Sequence, residues 1–368
     1  MDVPYFNLTE QFAALRPQVQ DSLDRIWRTS AFVLGEDVAT FEEEFAAYCD
    51  AKHCVALNTG TSALHLAMLA AGVGPGDEVI TTANTFIATA WAITYTGATP
   101  VFADIDPTTG NLDPACVEAA VTVRTKAIMP VHLYGRPVDV GSLLEIARRH
   151  ELAFVEDVAQ AHGARYKGRR VGTFGQSAGF SFYPTKNLGG CGEGGALVSN
   201  DSRVADLARV LRDHGQTSRY VHEYIGYNYR MDTLQGAVLR IKLRHLEQWT
   251  ARRRAVAARY RELLSGARAD LPEDRPDVES VYHLFVVWVD DRDRVRNELA
   301  ARGVQTAVHY PVPVHLQKAY GHLGYTIGSL PHTERACQRV ISMPMYPEIS
   351  DTQVEYAATA LAQIVGLA

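Results

Sequence analysis

Between Cys54 and Asn200 short apolar runs alternate with helical stretches. The runs are Cys54-Val55-Ala56-Leu57, Glu78-Val79-Ile80-Thr81-Thr82, Pro100 to Phe102, Ala127 to Val131, Glu151 to Asp157, Ser177 to Tyr183, and Gly195 to Val198. Runs of this kind read as strands buried on both faces, the habit of a parallel sheet sandwiched between helices. The expected fold class is therefore α/β, with a large domain built on a mostly parallel sheet covered by helices. Farther on, apolar residues at Leu234, Val238 and Ile241, then at Val256, Tyr260 and Leu263, predict one long helix from Thr233 to Leu264 that bridges to a second unit. The polar, proline-containing stretch 267–280 reads as a loop, followed by an apolar strand from Val281 to Val289. A last helix starts at Ser350-Asp351-Thr352-Gln353, which has the form of a capping box. The expected division is a large domain over 1–245 and a smaller C-terminal α+β domain over 246–368.

Composition narrows the class without naming it. The chain has 368 residues, 47% hydrophobic and 21% charged, the make-up of a globular protein with ample length for a core. No apolar run approaches the roughly 20 residues of a spanning helix. The start Met1-Asp2-Val3-Pro4 has neither the basic nor the apolar segment of an export signal, so a cytoplasmic location is expected. A net charge of -6 argues against general nucleic-acid binding and leaves an anionic substrate to local basic groups. The five cysteines form no CxxC pair and the 13 histidines no ligand spacing, so neither a disulfide framework nor a metal site is expected.

The chemistry concentrates at a few turns. Lys186 stands in Ser181-Phe182-Tyr183-Pro184-Thr185-Lys186-Asn187-Leu188-Gly189, directly after a strand and ahead of the glycine-rich Gly192-Glu193-Gly194-Gly195. A lysine held at one spot by such a turn suits Schiff-base chemistry, which needs a neutral amine. Asp157 ends an apolar strand, where a carboxylate can keep a pyridine nitrogen protonated; the plainer alternative is that it caps a helix beginning at Ala159. Asn58-Thr59-Gly60-Thr61-Ser62 joins a strand to a helix, and its free N–H groups with the Thr61 and Ser62 hydroxyls make an anion site, unless those two residues are simply N-caps. Phe86 follows the second strand and offers a ring for stacking, with core packing as the alternative.

Taken in order, these segments resemble the DegT/DnrJ/EryC1/StrS sugar aminotransferases, pyridoxal-phosphate enzymes of the aspartate-aminotransferase fold type I. The likeness spans nearly the whole chain and includes Val3-Pro4-Tyr5-Phe6-Asn7-Leu8, Thr85-Phe86-Ile87-Ala88-Thr89, Glu156-Asp157, Gly226-Tyr227-Asn228-Tyr229-Arg230-Met231 and Val308-His309-Tyr310-Pro311. The resemblance implies that Lys186 carries pyridoxal 5′-phosphate as a Schiff base and then acts as acid and base. It implies that Asp157 pairs with the ring nitrogen, Gln160 lies near the ring hydroxyl and Phe86 stacks. Thr61, Ser62 and Ser181 hold the phosphate on the same grounds, and Asn228 reaches it from a neighbouring subunit, so that a homodimer shares its sites. The implied donor is L-glutamate and the implied acceptor a nucleotide-linked ketosugar, with Tyr183, His309 and Tyr310 as sugar or phosphate contacts. One branch of the family has histidine in place of the lysine and dehydrates its sugar, so Lys186 favours transamination. His132-Leu133-Tyr134-Gly135 and the Lys186 segment look more like enzymes acting on a 3-keto sugar, such as a dTDP-3-keto-6-deoxyhexose, than on a 4-keto sugar.

Other readings remain open at this point: a lyase or dehydratase of the same fold, and a non-catalytic regulator. Gly190-Cys191-Gly192-Glu193-Gly194-Gly195 matches GxGxxG by letter, yet a strand and not a helix is expected after it, which argues against a dinucleotide site. Arg252-Arg253-Arg254 invites a diphosphate-site reading, but a solvated helix face is expected.

Overall fold

The computed structural model describes residues 1–273 and 275–367. Its centre is a seven-stranded sheet in the order His53–Leu57, Gly195–Ser199, Ser177–Ser181, Ala153–Asp157, Thr125–Ile128, Glu78–Thr82, Thr99–Ala103. The Gly195–Ser199 strand runs antiparallel to both neighbours, and the remaining adjacent pairs are parallel. Every residue of Ala153–Asp157 is buried, as an unbroken apolar run requires in a sheet covered on both faces. Register places Leu57 opposite Gly195, Gly195 opposite Ser181 and Asp157 opposite Gly179, so the turns after three separate strands open on one edge. Ligands of open α/β sheets gather at the carboxyl ends of the strands for this reason.

The smaller module is built on the antiparallel pair Phe285–Trp288 and Val340–Met343, with the helices Leu246–Leu263, Arg292–Ala301 and Asp351–Val365. Its core joins Val256, Tyr260, Val287, Ile341 and Leu361 to Val3, because the first residues cross over: the Val3 N–H donates to the Gly303 carbonyl and the Gln305 N–H to the Val3 carbonyl. The Asp351–Val365 helix starts with the expected capping box, Ser350 and Gln353 each accepting from the other's N–H.

Four local expectations are corrected. The long helix is two, Thr233–Leu243 and Leu246–Leu263, bent at Arg244 and His245. Leu239 of the first is buried in the core of the large module, whereas Val256 and Tyr260 of the second enter the small core; one straight stripe cannot face both. We propose this bend as the division between the two modules. No helix begins at Ala159, since residues 158–163 form turns that lead into the short pair Arg165–Tyr166 and Arg169–Arg170. The strand expected from Val281 starts only at Phe285, because Val281 and Leu284 instead donate to the Gly135 and Tyr134 carbonyls. Arg252-Arg253-Arg254 is not a solvated face: Arg253 is buried and Nη1 donates to the carbonyls of Tyr282, His283 and Met345, while Arg252 and Arg254 donate to the Ile349 and Ser280 carbonyls. Carbonyl groups from two loops supply partners that a buried guanidinium needs.

Candidate active site

The edge where the strands end begins with the Gly60–Ala70 helix. Thr59, and not Thr61 or Ser62, is its N-cap: Thr59 Oγ1 accepts from the Ser62 N–H at 3.0 Å. The Ser62 hydroxyl donates to Asn58 Oδ1 at 2.7 Å, and among the described residues the Thr61 hydroxyl has no partner. The helix start therefore keeps open N–H groups and a free hydroxyl, which is what a phosphate requires. Two glycines make the cradle. A Cβ on Gly60 would lie 2.7 Å from Ser181 Cβ, and one on Gly195 would lie 2.2 Å from the Thr59 carbonyl carbon, so Ser181 and the helix start meet only because both positions lack side chains. Gly60→Ala is expected to push Ser181 away from the helix, weakening cofactor retention and lowering stability by about 1–3 kcal/mol, as read by equilibrium dialysis and denaturant melts.

Asp157 sits at the end of its strand, 4% exposed. Oδ2 accepts from the Thr89 hydroxyl at 2.8 Å and Oδ1 from the Ala159 N–H at 3.1 Å, while the Thr89 and Thr85 hydroxyls are themselves 2.8 Å apart. Burial pushes the Asp157 carboxyl up, against the pull of the Thr89 and Ala159 hydrogen bonds and of the Lys186 charge. Such a carboxylate is steered and wants a cation. Lys186 is half-buried in the turn closed by its own N–H on the Tyr183 carbonyl at 2.8 Å, and its amine has no hydrogen bond or ion pair among the described residues. Desolvation lowers it from 10.5 to about 8, with Asp157 opposing.

Phe86 is 52% exposed, so it is not packed away in the core, and its ring lies 5.9 Å from that of Tyr310. Gln160 is buried; Oε1 accepts from the Tyr134 N–H at 2.7 Å and Nε2 donates to the Tyr310 hydroxyl at 3.1 Å. The Tyr134 hydroxyl donates to the His309 carbonyl at 2.5 Å, His309 Nδ1 meets Ser342 Oγ at 2.8 Å, and Tyr5 stacks on His309 at 6.0 Å. Burial and the Lys186 charge bring His309 down to about 4, which keeps it neutral. Tyr183 is 47% exposed beside the lysine. Asn228 is exposed, its carbonyl accepting from Asn58 Nδ2 at 3.4 Å.

Glu156, next to Asp157, has another task. It is wholly buried and accepts from the Gly172, Phe174 and Gly175 N–H groups and from His132 Nε2. Burial alone would raise the carboxyl, but these hydrogen bonds outweigh it and hold it below the ordinary carboxylate range. The strand tip thus presents one carboxylate to the site and spends the other on the loop behind it. The hold of Thr89 on Asp157 and this loop contact went unread in the sequence, since no local pattern marks a partner so distant along the chain.

The residues fit pyridoxal 5′-phosphate: an unbonded lysine amine, a buried carboxylate for the ring nitrogen, an accessible aromatic face, and a phosphate cradle into which a Cβ would intrude. Residues 14–362 match the DegT/DnrJ/EryC1/StrS aminotransferase family, and the chain belongs to it. It is an aminotransferase and depends on pyridoxal phosphate. It is 47% identical to a pleiotropic regulatory protein of Geobacillus stearothermophilus, covering 99% of this chain and 98% of that one. It is likewise 47% identical to the dTDP-3-amino-3,4,6-trideoxy-alpha-D-glucose transaminase of Streptomyces venezuelae, over 95% of this chain and 93% of that one. The X-ray crystal structure of S. venezuelae DesV in complex with a ketimine intermediate superposes with a TM-score of 0.97 at 45% identity, covering 100% of this chain and 99% of that one. Among the described residues no helix is long and apolar enough to cross a membrane.

Proposed function

We propose that this enzyme moves an amino group from L-glutamate to a ketosugar carried on a nucleoside diphosphate, a dTDP-linked 3-keto-6-deoxyhexose above all. The observation that carries the reading is an unbonded Lys186 amine together with a buried Asp157 carboxylate that feels its charge and is already held by Thr89 and Ala159. The name of the S. venezuelae transaminase supports the substrate class and amination at C-3. Bound pyridoxal 5′-phosphate would supply a reactive aldehyde and an electron-withdrawing ring. Gly60, Thr61, Ser62 and Ser181 would hold its phosphate, Phe86 would offer a face to its ring, and Gln160 would serve the ring hydroxyl. Asp157 fixes positive charge at the ring nitrogen, an effect strengthened by the burial of the carboxylate. Lys186 Nζ would be the group that takes the proton from the donor's α-carbon and gives it up again, and the same amine would serve the sugar in the second half-reaction. Tyr183, His309 and Tyr310 line the approach, where a phenol or a neutral imidazole binds sugar or phosphate oxygens.

A homodimer with shared sites belongs to the same reading. The segment that ends at Asn228 exposes Tyr220, Val221, Tyr224 and Ile225, an apolar stretch suited to a second copy that receives Asn228 at its phosphate.

Turnover of dTDP- and UDP-linked 3-keto and 4-keto sugars with L-glutamate, followed by product mass and NMR, tests the function. The expected result is an amine at C-3 with one 2-oxoglutarate per turnover. Loss of a hydroxyl without 2-oxoglutarate would identify a dehydratase, and a protein that stays colourless with added pyridoxal phosphate would identify a regulator. A second expectation concerns pH. Since only the neutral amine reacts, covalent uptake of pyridoxal 5′-phosphate by the cofactor-free chain should accelerate up to about pH 8 and then level, well short of the ordinary lysine value of 10.5. Stopped-flow absorbance across pH 6 to 10.5 reads it.

A further inference from the structure

Tyr134 belongs to the His132-Leu133-Tyr134-Gly135 segment and takes no part in the chemistry of Lys186 and Asp157. It is 5% exposed, and its ring packs with Val131, Leu284, Val286 and Trp288 in a small apolar cluster against which Val308 and Tyr310 also rest. Its backbone stands at φ 61°, a left-handed conformation that a bulky residue adopts only when its surroundings impose it. Here they do. The Tyr134 N–H donates to Gln160 Oε1 at 2.7 Å, its carbonyl accepts from the Leu284 N–H at 3.3 Å, and a Cβ on the adjoining Gly135 would lie 2.9 Å from the His283 backbone nitrogen. A side chain carried on so fixed a backbone delivers its hydroxyl to one place, the His309 carbonyl at 2.5 Å.

Donor and acceptor chemistry then assigns the protons around this residue. A backbone N–H only donates, so Gln160 turns Oε1 toward Tyr134 and Nε2 toward Tyr310, whose hydroxyl accepts at 3.1 Å. A carbonyl only accepts, so the Tyr134 hydroxyl proton goes to His309. The bonds close a circuit from Tyr134 through Gln160 to Tyr310 and back through the His309 peptide. Within it the Tyr310 hydroxyl proton has no acceptor among the described residues, and His309, which meets Ser342 Oγ through Nδ1, has no partner there for Nε2. The peptide group gripped by Tyr134 is the one that joins these two residues. A single hydrogen bond therefore sets the spacing of two side chains that each have one polar atom left to offer.

We propose that Tyr134 is a positioning residue for the sugar half of the reaction: its hydroxyl holds the His309–Tyr310 peptide so that the imidazole and the phenol meet the sugar nucleotide already spaced. The proposal rests on the reading of those two side chains as sugar or phosphate contacts. Tyr134→Phe tests it, because the ring stays in its cluster, the backbone keeps its bonds to Gln160 and Leu284, and only the grip on His309 is lost. The holoenzyme in its pyridoxal form is mixed with either L-glutamate or a dTDP-linked 3-amino-3,6-dideoxyhexose, each of which converts it to the pyridoxamine form, and stopped-flow absorbance follows the conversion. With the amino sugar, Tyr134→Phe is expected to lose about tenfold in maximal rate over dissociation constant, while conversion by L-glutamate stays within about twofold of the parental value. Thermal melting reads the structural share, since a residue that only filled the cluster would lower the melting temperature and leave the two conversions alike. Equal losses with both amino donors, or parental rates with both, overturn the proposal. Tyr310→Phe, measured alongside, separates two failures. If it converts the amino sugar at the parental rate, the reading of the contacts falls and the proposal with it, whereas a slowed Tyr310→Phe beside a parental Tyr134→Phe refutes the positioning role alone.

Discussion

Lys186→Ala is expected to abolish turnover while the protein stays folded. The amine has no hydrogen bond or ion pair among the described residues, so its removal leaves no partner orphaned and relieves the desolvation that lowers the lysine to about 8. What disappears is both the covalent attachment and the acid–base group, the second alone being worth about 10²–10⁴ in rate. Steady-state assay of 2-oxoglutarate, together with circular dichroism and thermal melting, reads the result. In the unaltered protein borohydride should fix the cofactor on the peptide containing Lys186. Residual turnover near the parental rate, or fixation on another peptide, is incompatible with the assignment.

The second large effect is expected at Asp157, where charge and structure can be separated. Asp157→Asn keeps an oxygen for the Ala159 N–H and a polar group for Thr89, whose hydroxyl can turn to accept from the new amide and donate to Thr85. Stability should change little. The charge opposite the ring nitrogen is lost, and with it about 10²–10³ in kcat, the scale at which a single preorganised electrostatic group acts in a closed site. Asp157→Ala, in contrast, strands Thr89 and the Ala159 N–H and should cost about 1–3 kcal/mol in addition. Urea melts and single-turnover absorbance with L-glutamate distinguish the two substitutions. If Asp157→Asn turned over at the parental rate, the carboxylate would have no part in holding the ring cationic.

Much of the candidate site was legible because its signals are local. A strand that ends in Asp157, a turn that carries Lys186, and a strand–glycine–helix passage at Gly60 are each written within ten residues, and periodicity and turn chemistry operate over that range. Where two local rules compete, sequence reading went astray. Asp157 followed by a short apolar stretch resembles a capped helix, yet its side chain closes a turn on Ala159 and the chain goes on to a hairpin. The Thr233 to Leu264 stripe looks continuous because a bend of two residues leaves apolar spacing nearly intact. Three adjacent arginines look solvated because solvation is the usual fate of charge, and burial of Arg253 depends on carbonyls from loops that have no sequence link to it.

From residue order alone came the α/β class, the strand tips, the turn that carries Lys186 and the Asn58 to Ser62 passage into a helix, since backbone preference and hydrophobic period act between neighbours in the chain. Packing had to settle how those pieces are steered: Thr89 holding Asp157 across 68 positions, Gly60 admitting Ser181, Thr59 taking the cap, and Val281 tied to Asn187 of the lysine loop. The physical reason is that such contacts join residues remote in sequence. Their geometry exists only after the sheet has set its strand order and the two cores have closed around it.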